Sequence, residues 1–315
     1  MFEIIAFAIA FYIAWSIGAN DSANSLGAVI GSKVLTFERA IIIACIFGFI
    51  GAMFLSNPVS KTIGSGIVEP LDLTADVLIL LATAILLTFA SFFGLPLSTT
   101  QAIIGVAIGW GFVSQARLNF LLIGNVVISW IITPTVAIIG GALVYLFVKK
   151  ILKNLITSMV QKERWEARFA LLQIPALIIL ALAYTANDIP NAVGIFYTQK
   201  LFGWILLSSS FGFVFGMLTF GKKVLYTVSR KLVTREMSTA QGFVIQLTAG
   251  LIVLIFTLLG MPISTTQVTV GVILGTGLAG GLSRVNWSII AEVIASWVLT
   301  IPIGFALGFA FGTIF

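Results

Sequence analysis

Long apolar stretches alternate with short polar ones along nearly the whole chain. Apolar runs fall near 2–18, 40–56, 76–93, 100–115, 118–148, 169–186, 203–220, 242–259, 266–282 and 286–315. Each approaches the length that crosses a bilayer, about 20 residues. A soluble core has no use for so many, so the pattern predicts an all-α, polytopic integral membrane protein. Two of the stretches, 76–115 and 242–282, are interrupted by Gly94-Leu95-Pro96-Leu97-Ser98-Thr99-Thr100-Gln101 and Gly260-Met261-Pro262-Ile263-Ser264-Thr265-Thr266-Gln267. Pro96 and Pro262 stop the incoming segment, and Ser-Thr-Thr supplies N-cap residues for the helix that follows. Re-entrant helical hairpins meeting at mid-membrane are the expected form, since irregular backbone at that depth must line a cavity. The plainer reading is an interhelical turn at the membrane surface; two copies of Ser-Thr-Thr-Gln count against it.

The two loops stand 166 residues apart, and nearly the same offset relates much more of the chain. Ala19-Asn20-Asp21-Ser22-Ala23-Asn24 returns as Ala186-Asn187-Asp188-Ile189-Pro190-Asn191, 167 residues later. Gly105, Gly109 and Gly111 answer Gly271, Gly275 and Gly277; Ser129-Trp130 answers Ser296-Trp297. Two repeats, 1–148 and 169–315, are therefore joined by a polar linker, 149–168.

Charge sets their orientation. Of 17 basic residues, six lie in 149–168 and five in 221–240, which places both segments in the cytoplasm by the positive-inside rule. The counterpart of 221–240 is 57–75, a loop holding Lys61 against Glu69 and Asp72, and it reads as external. Equivalent loops on opposite faces mean inverted-topology repeats with both termini outside, the plan in which substrate lies near the midplane. A parallel duplication is the alternative. Apolar residues at helical spacing in the basic segments, such as Leu152, Leu155, Leu225 and Leu232, suggest interfacial helices on anionic lipid rather than a nucleic-acid surface.

Composition agrees and excludes some chemistry. The chain is 59% apolar and 9% charged, with a mean hydropathy of +1.15. It has no His and one Cys, Cys45, which removes histidine or thiolate metal sites and any intrachain disulfide. The first run has no basic leader and runs into the Asn-Asp motif, so a cleaved signal peptide is not expected.

An Asp inside a span is costly and faces a protein interior or a cavity. Asp21 lies between Gly18 and Gly27, and Asp188 is followed by Pro190 and Gly194, so both helices are expected to unwind there. Freed carbonyls, the Asp carboxylates and the Asn20 and Asn187 amides would then form a hard oxygen set suited to sodium. The plainer reading is that these side chains cap broken helix ends. Asn24 and Asn191 share the Asp face, able to give oxygen to a cation or N–H to an anion. Helix N-termini after Ser98 and Ser264 are ready anion sites, and the hydroxyls of Ser98, Thr99, Thr100, Ser264, Thr265 and Thr266 add donors. Gln101 and Gln267 can serve either ion. No Lys or Arg occurs in these motifs, so anion binding should require the cations. Glu292 reads equally as an ion relay or a buried acid; Arg117 and Arg284 as interfacial. No nucleophile and base are paired, which argues against an enzyme.

Gly18-Ala19-Asn20-Asp21-Ser22-Ala23-Asn24, its second copy and the two Ser-Thr-Thr-Gln loops resemble the duplicated signature of the inorganic phosphate transporter family, over essentially the whole chain. The resemblance implies a plasma-membrane symporter that imports inorganic phosphate with sodium, or protons, by alternating access, without a cofactor; a homodimer is left open. Its motif roles fall on Asn20, Asp21, Asn187 and Asp188, and on Ser98 to Gln101 and Ser264 to Gln267. Departures are Ile189-Pro190 where the first copy has Ser22-Ala23, and a short linker where many relatives carry a long cytoplasmic insert. Sulfate is the alternative substrate, and an anion channel the alternative mode.

Overall fold

The computed structural model describes residues 2–69, 71–92, 97–232, 237–281 and 287–315. Among them the chain forms α1 (Phe2–Gly31), α2 (Phe37–Leu55), α3 (Asn57–Lys61), α4 (Leu73–Phe92), α5 (Thr99–Val113) and α6 (Phe120–Leu155). There follow α7 (Met159–Asp188), α8 (Pro190–Val193), α9 (Phe202–Leu232), α10 (Thr239–Leu258), α11 (Thr265–Gly280) and α12 (Trp287–Ile314). The only β pairing among the described residues is an isolated bridge between Val68 and Leu118.

Among the described residues, the ten apolar runs resolve into eight helices long and apolar enough to cross a membrane and two that are not. At 1.5 Å per residue, α5 and α11 extend about 22–24 Å, short of the roughly 30 Å hydrocarbon core. Each follows a 20-residue helix across the interrupted loop, α4 before α5 and α10 before α11. The outer surface is apolar, with Leu121 79% and Phe54 77% exposed.

Partners are exchanged between the two repeats. α1 packs on α9 and α2 on α7; α5 packs on α12 and α11 on α6. Lipid tails are as apolar as the helices, so association depends on close van der Waals fit at small residues. A Cβ on Gly18 would stand 2.0 Å from the Phe213 carbonyl oxygen, and one on Gly51 2.2 Å from that of Leu182. Gly109 and Gly308 interlock α5 with α12 in the same way, and Gly275 sets α11 on α6. Any side chain there would force the helices apart.

Three expectations change. The basic segment 149–168 is not a free linker: α6 runs on to Leu155 and α7 begins at Met159. Residues 221–232 likewise prolong α9, so the basic stretches extend spanning helices rather than lying as separate interfacial ones. The predicted loop 57–75 contains α3, with Pro58 in its first turn, and a π-helical turn, Thr62–Gly66. Part of it is packed: Val59, Ser60, Ile63 and Gly64 are buried, and a Cβ on Gly64 would meet the Gly194 carbonyl oxygen at 1.9 Å, while Lys61, Glu69 and Asp72 are exposed. Pro96, Arg235 and Arg284, and the side chains of Arg230, Lys231 and Glu292, lie outside the described residues. Pro134 and Pro302 sit inside helices that continue through them.

Candidate functional site

The two Asn-Asp motifs meet at the centre of the bundle. Asp21 and Asp188 are both buried and close enough to interact with each other electrostatically. Asp188 also meets the Thr265 hydroxyl. Residues 167 positions apart in the chain thus share one polar centre.

The backbone around each Asp differs. α1 continues without a break through Asn20, Asp21 and Gly27 to Gly31, against the expected unwinding. Gly18 is needed for the approach of α9, not for a break. In the second motif α7 ends at Asp188, one turn residue follows, and α8 leads into a 3₁₀ turn, Gly194–Phe196. Pro190 has no N–H to offer the Ala186 carbonyl, which interrupts the ladder there. The expected break is therefore confined to the second copy.

The Ser-Thr-Thr loops act as expected at their helix starts. Ser98 Oγ accepts from the Gln101 N–H at 3.4 Å, and Ser264 Oγ from the Gln267 N–H at 3.3 Å. α5 and α11 thus begin at Thr99 and Thr265, the latter beside Asp188. Asn24 and Asn191 tie the motifs to these loops reciprocally. Asn24 Nδ2 donates to Thr266 Oγ1 at 3.1 Å and to Asp21 Oδ1 at 3.3 Å. Asn191 Nδ2 donates to Thr100 Oγ1 at 3.1 Å and to Thr99 Oγ1 at 3.4 Å. Each Asn crosses to the hairpin of the other repeat. A hydroxyl that accepts still has a proton to give; Thr100 gives its own to the Ile263 carbonyl at 3.1 Å, joining the two loops.

Several buried oxygens have no hydrogen-bond partner: Asp21 Oδ2, Asp188 Oδ2, Gln101 Oε1, Gln267 Oε1 and Asn191 Oδ1. All are acceptors. Leaving a buried polar atom unmatched costs about 1–3 kcal/mol, more for a charged group, so this concentration calls for something electropositive. Adjacent carboxylates repel, and a cation between them removes that repulsion. Oxygen-only ligation by carboxylate and amide suits a hard cation. No group of three or more His, Cys, Asp or Glu able to hold a metal occurs among the described residues, so amide oxygens must complete any such shell.

The two Asn of the Asn-Asp pairs diverge. Asn187 is fully buried and clamps the second hairpin loop. Its Nδ2 donates to Thr257 Oγ1 at 2.9 Å and to the Met261 carbonyl at 3.1 Å, while its Oδ1 accepts from the Ile263 N–H at 3.1 Å. Asn20 is exposed. Two loop supports were not predicted as such: Trp130 Nε1 donates to the Pro262 carbonyl at 3.0 Å, and Thr62 Oγ1 to the Gly260 carbonyl at 2.6 Å. The repeated Ser-Trp pair carried the signal for the first; nothing marked Thr62.

A model of the phosphate transporter family matches residues 17–308. The chain belongs to that family. The match takes in both Asn-Asp motifs and both hairpins. Within it, a candidate phosphate permease of Pyrococcus furiosus is 32% identical over 99% of this chain and 95% of its own length. One of Chlamydia pneumoniae is 30% identical over 99% and 98%. Among solved structures, one described as the sodium-dependent phosphate transporter superposes with a TM-score of 0.88 at 26% identity, over 99% of this chain and 98% of that one.

Proposed function

We propose that this chain imports inorganic phosphate with sodium by alternating access between two inverted repeats, 1–148 and 169–315. The observation that carries this reading is the paired centre: two buried, interacting aspartates, with unpartnered acceptor oxygens on both motifs and both hairpins and two capped helix N-termini with their hydroxyls. Cation and anion positions are contiguous there. Sodium would be held by Asp21, Asp188, Gln101 and Gln267, with the Asn191 oxygen within the same unpartnered set; Asn187 supports the loop instead. Phosphate would be held by Ser98, Thr99, Thr100, Ser264, Thr265 and Thr266, with Asn24 and Asn191 orienting the threonines.

The physics couples the two cargoes. With no Lys or Arg in the motifs, the positive field for an oxyanion comes from helix N-termini and from the cation itself. Each ion lowers the cost of burying the other, and that coupling is reciprocal. The family and the described activity of the structural relative favour phosphate and sodium. The basic ends of α6, α7 and α9 would face the cytoplasm and both termini the outside of the plasma membrane.

Uptake of labelled phosphate by proteoliposomes under imposed sodium or proton gradients, with sulfate as competitor, tests this directly. The expected result is saturable, uphill accumulation driven by sodium and resistant to sulfate. Uptake indifferent to both cation gradients would sink the scheme, and downhill flux alone would indicate a channel.

A further inference from the structure

The two repeats differ along one interior seam. In the second, the interface of α7, α10 and α11 carries Gln173, Tyr184, Gln246 and Thr269; the aligned positions of the first are Ala6, Ile17, Leu80 and Ile103. All eight are buried. The same packing positions are filled by hydrocarbon in one repeat and by amide or hydroxyl groups in the other. The fold alone does not require the polar set.

These groups form a line. At one end, Thr239 opens α10 and bonds through its N–H to Glu166 Oε2 at 3.1 Å, and Gln173 Nε2 donates to the Thr239 carbonyl at 2.6 Å while its Oε1 accepts from Ser32 Oγ at 2.9 Å. At the other end, Tyr184 OH lies 2.6 Å from Thr269 Oγ1, which gives its proton to the Thr265 carbonyl at 2.9 Å, and Thr265 meets Asp188. Gln246 lies between. Gly242 of α10 faces Gln173, and Gly250 faces the Leu180 backbone; Gln246, one turn from each, shares that face. It is fully buried, and neither Nε2 nor Oε1 has a partner. An amide can make four hydrogen bonds; a dry interior would select leucine, as the first repeat does with Leu80.

We propose that this seam is the coupling cation's route between the central aspartates and the cytoplasmic ends of α7 and α10, with the Gln246 amide its mid-route ligand. The inference rests on the sodium-coupled reading above and adds to it a one-sided passage through the second repeat. Glu166 at the outer end attracts a cation, the amide oxygens of Gln173 and Gln246 replace part of its water, and the Asp188 cluster receives it. The first repeat has Leu80 and Ile17 at the equivalent levels, and its buried α4 carboxylate, Asp76, is held by Gln199 Nε2 at 2.7 Å instead.

The test uses the full chain in proteoliposomes. Gln246→Leu should slow sodium-driven phosphate uptake about tenfold, the rate cost of one lost interaction, while equilibrium binding of phosphate in saturating sodium changes less than twofold. In a Cys45→Ala background, Gln246→Cys should make uptake sensitive to silver ion, a thiol-reactive cation close to sodium in size, applied from the cytoplasmic face; Leu80→Cys should not. Parental uptake in Gln246→Leu, or indifference of Gln246→Cys to silver from both faces, overturns the route. If Gln246→Leu does not fold, the silver result decides. Parental uptake without sodium dependence would fail the transport reading instead, and silver access to Gln246→Cys would still report whether the seam admits a cation.

Discussion

α1 and α7 carry the same Asn-Asp letters on different backbones. α1 passes through its motif as an unbroken helix, whereas α7 stops at Asp188 and restarts behind Pro190. The neighbouring Asn follows the backbone: Asn187 is buried and holds the 257–263 loop by three hydrogen bonds, and Asn20 is exposed. A motif therefore fixes which side chains reach the centre, while its flanks decide how each copy is supported. The two aspartates stand together as near equals, and their supports do not.

The largest effect expected of any variant falls on what the copies share. Asp21→Asn and Asp188→Asn should each lower sodium-dependent uptake about 100-fold, the upper range for loss of a group that tunes a metal site, at unchanged expression; normal uptake in both refutes the cation site. Next comes the contrast between the amides. Asn187→Ala strands the Ile263 N–H and the Met261 carbonyl, so it should destabilise the protein by about 3 kcal/mol, read as a lower melting temperature in detergent with loss of uptake. Asn20→Ala should melt with the parent. If the two lower stability equally, the asymmetry of support is wrong.

Smaller still, and predicted to be alike, are the glycines at the exchanged helix contacts. Gly18→Ala and Gly51→Ala each place a methyl within about 2 Å of a carbonyl oxygen and should each cost about 1–3 kcal/mol. A large difference between them would mean that the α1–α9 and α2–α7 contacts are not equivalent. The smallest effect is expected of Pro190→Ala. Restoring an N–H to the kink should shift stability by less than about 1 kcal/mol and slow uptake only severalfold, measured as initial rate at saturating sodium.

Much of this was legible in the sequence. Ser98 and Ser264 stand as helix caps because Ser before an apolar helix satisfies its orphan N–H groups. The chain's division into long helices and two short ones followed from the breaks at the Ser-Thr-Thr loops. The first Asn-Asp helix was misread because Gly18 has two uses, breaking a helix or admitting a neighbour, and only the approach of Phe213 decides between them. The 57–66 segment read as a loop because its Gly and polar residues bury against the second motif's kink, a contact local pattern does not reveal. Gln246 looks like any polar residue in a helix until it is seen to be buried with neither amide atom partnered.

The exchange of helices between repeats bears on how the protein is made. α5 rests on α12 and α1 on α9, so residues emerging early from the ribosome wait for partners some 200 positions later. Pairings so distant in the chain are slow to form. The first hairpin has its proper neighbour only after the last helix is inserted, so a membrane-held, incompletely packed N-terminal portion is an obligatory stage of biogenesis. Co-expressing residues 1–156 and 157–315, divided between α6 and α7, as separate chains should let each complete the other, and neither should survive membrane quality control alone.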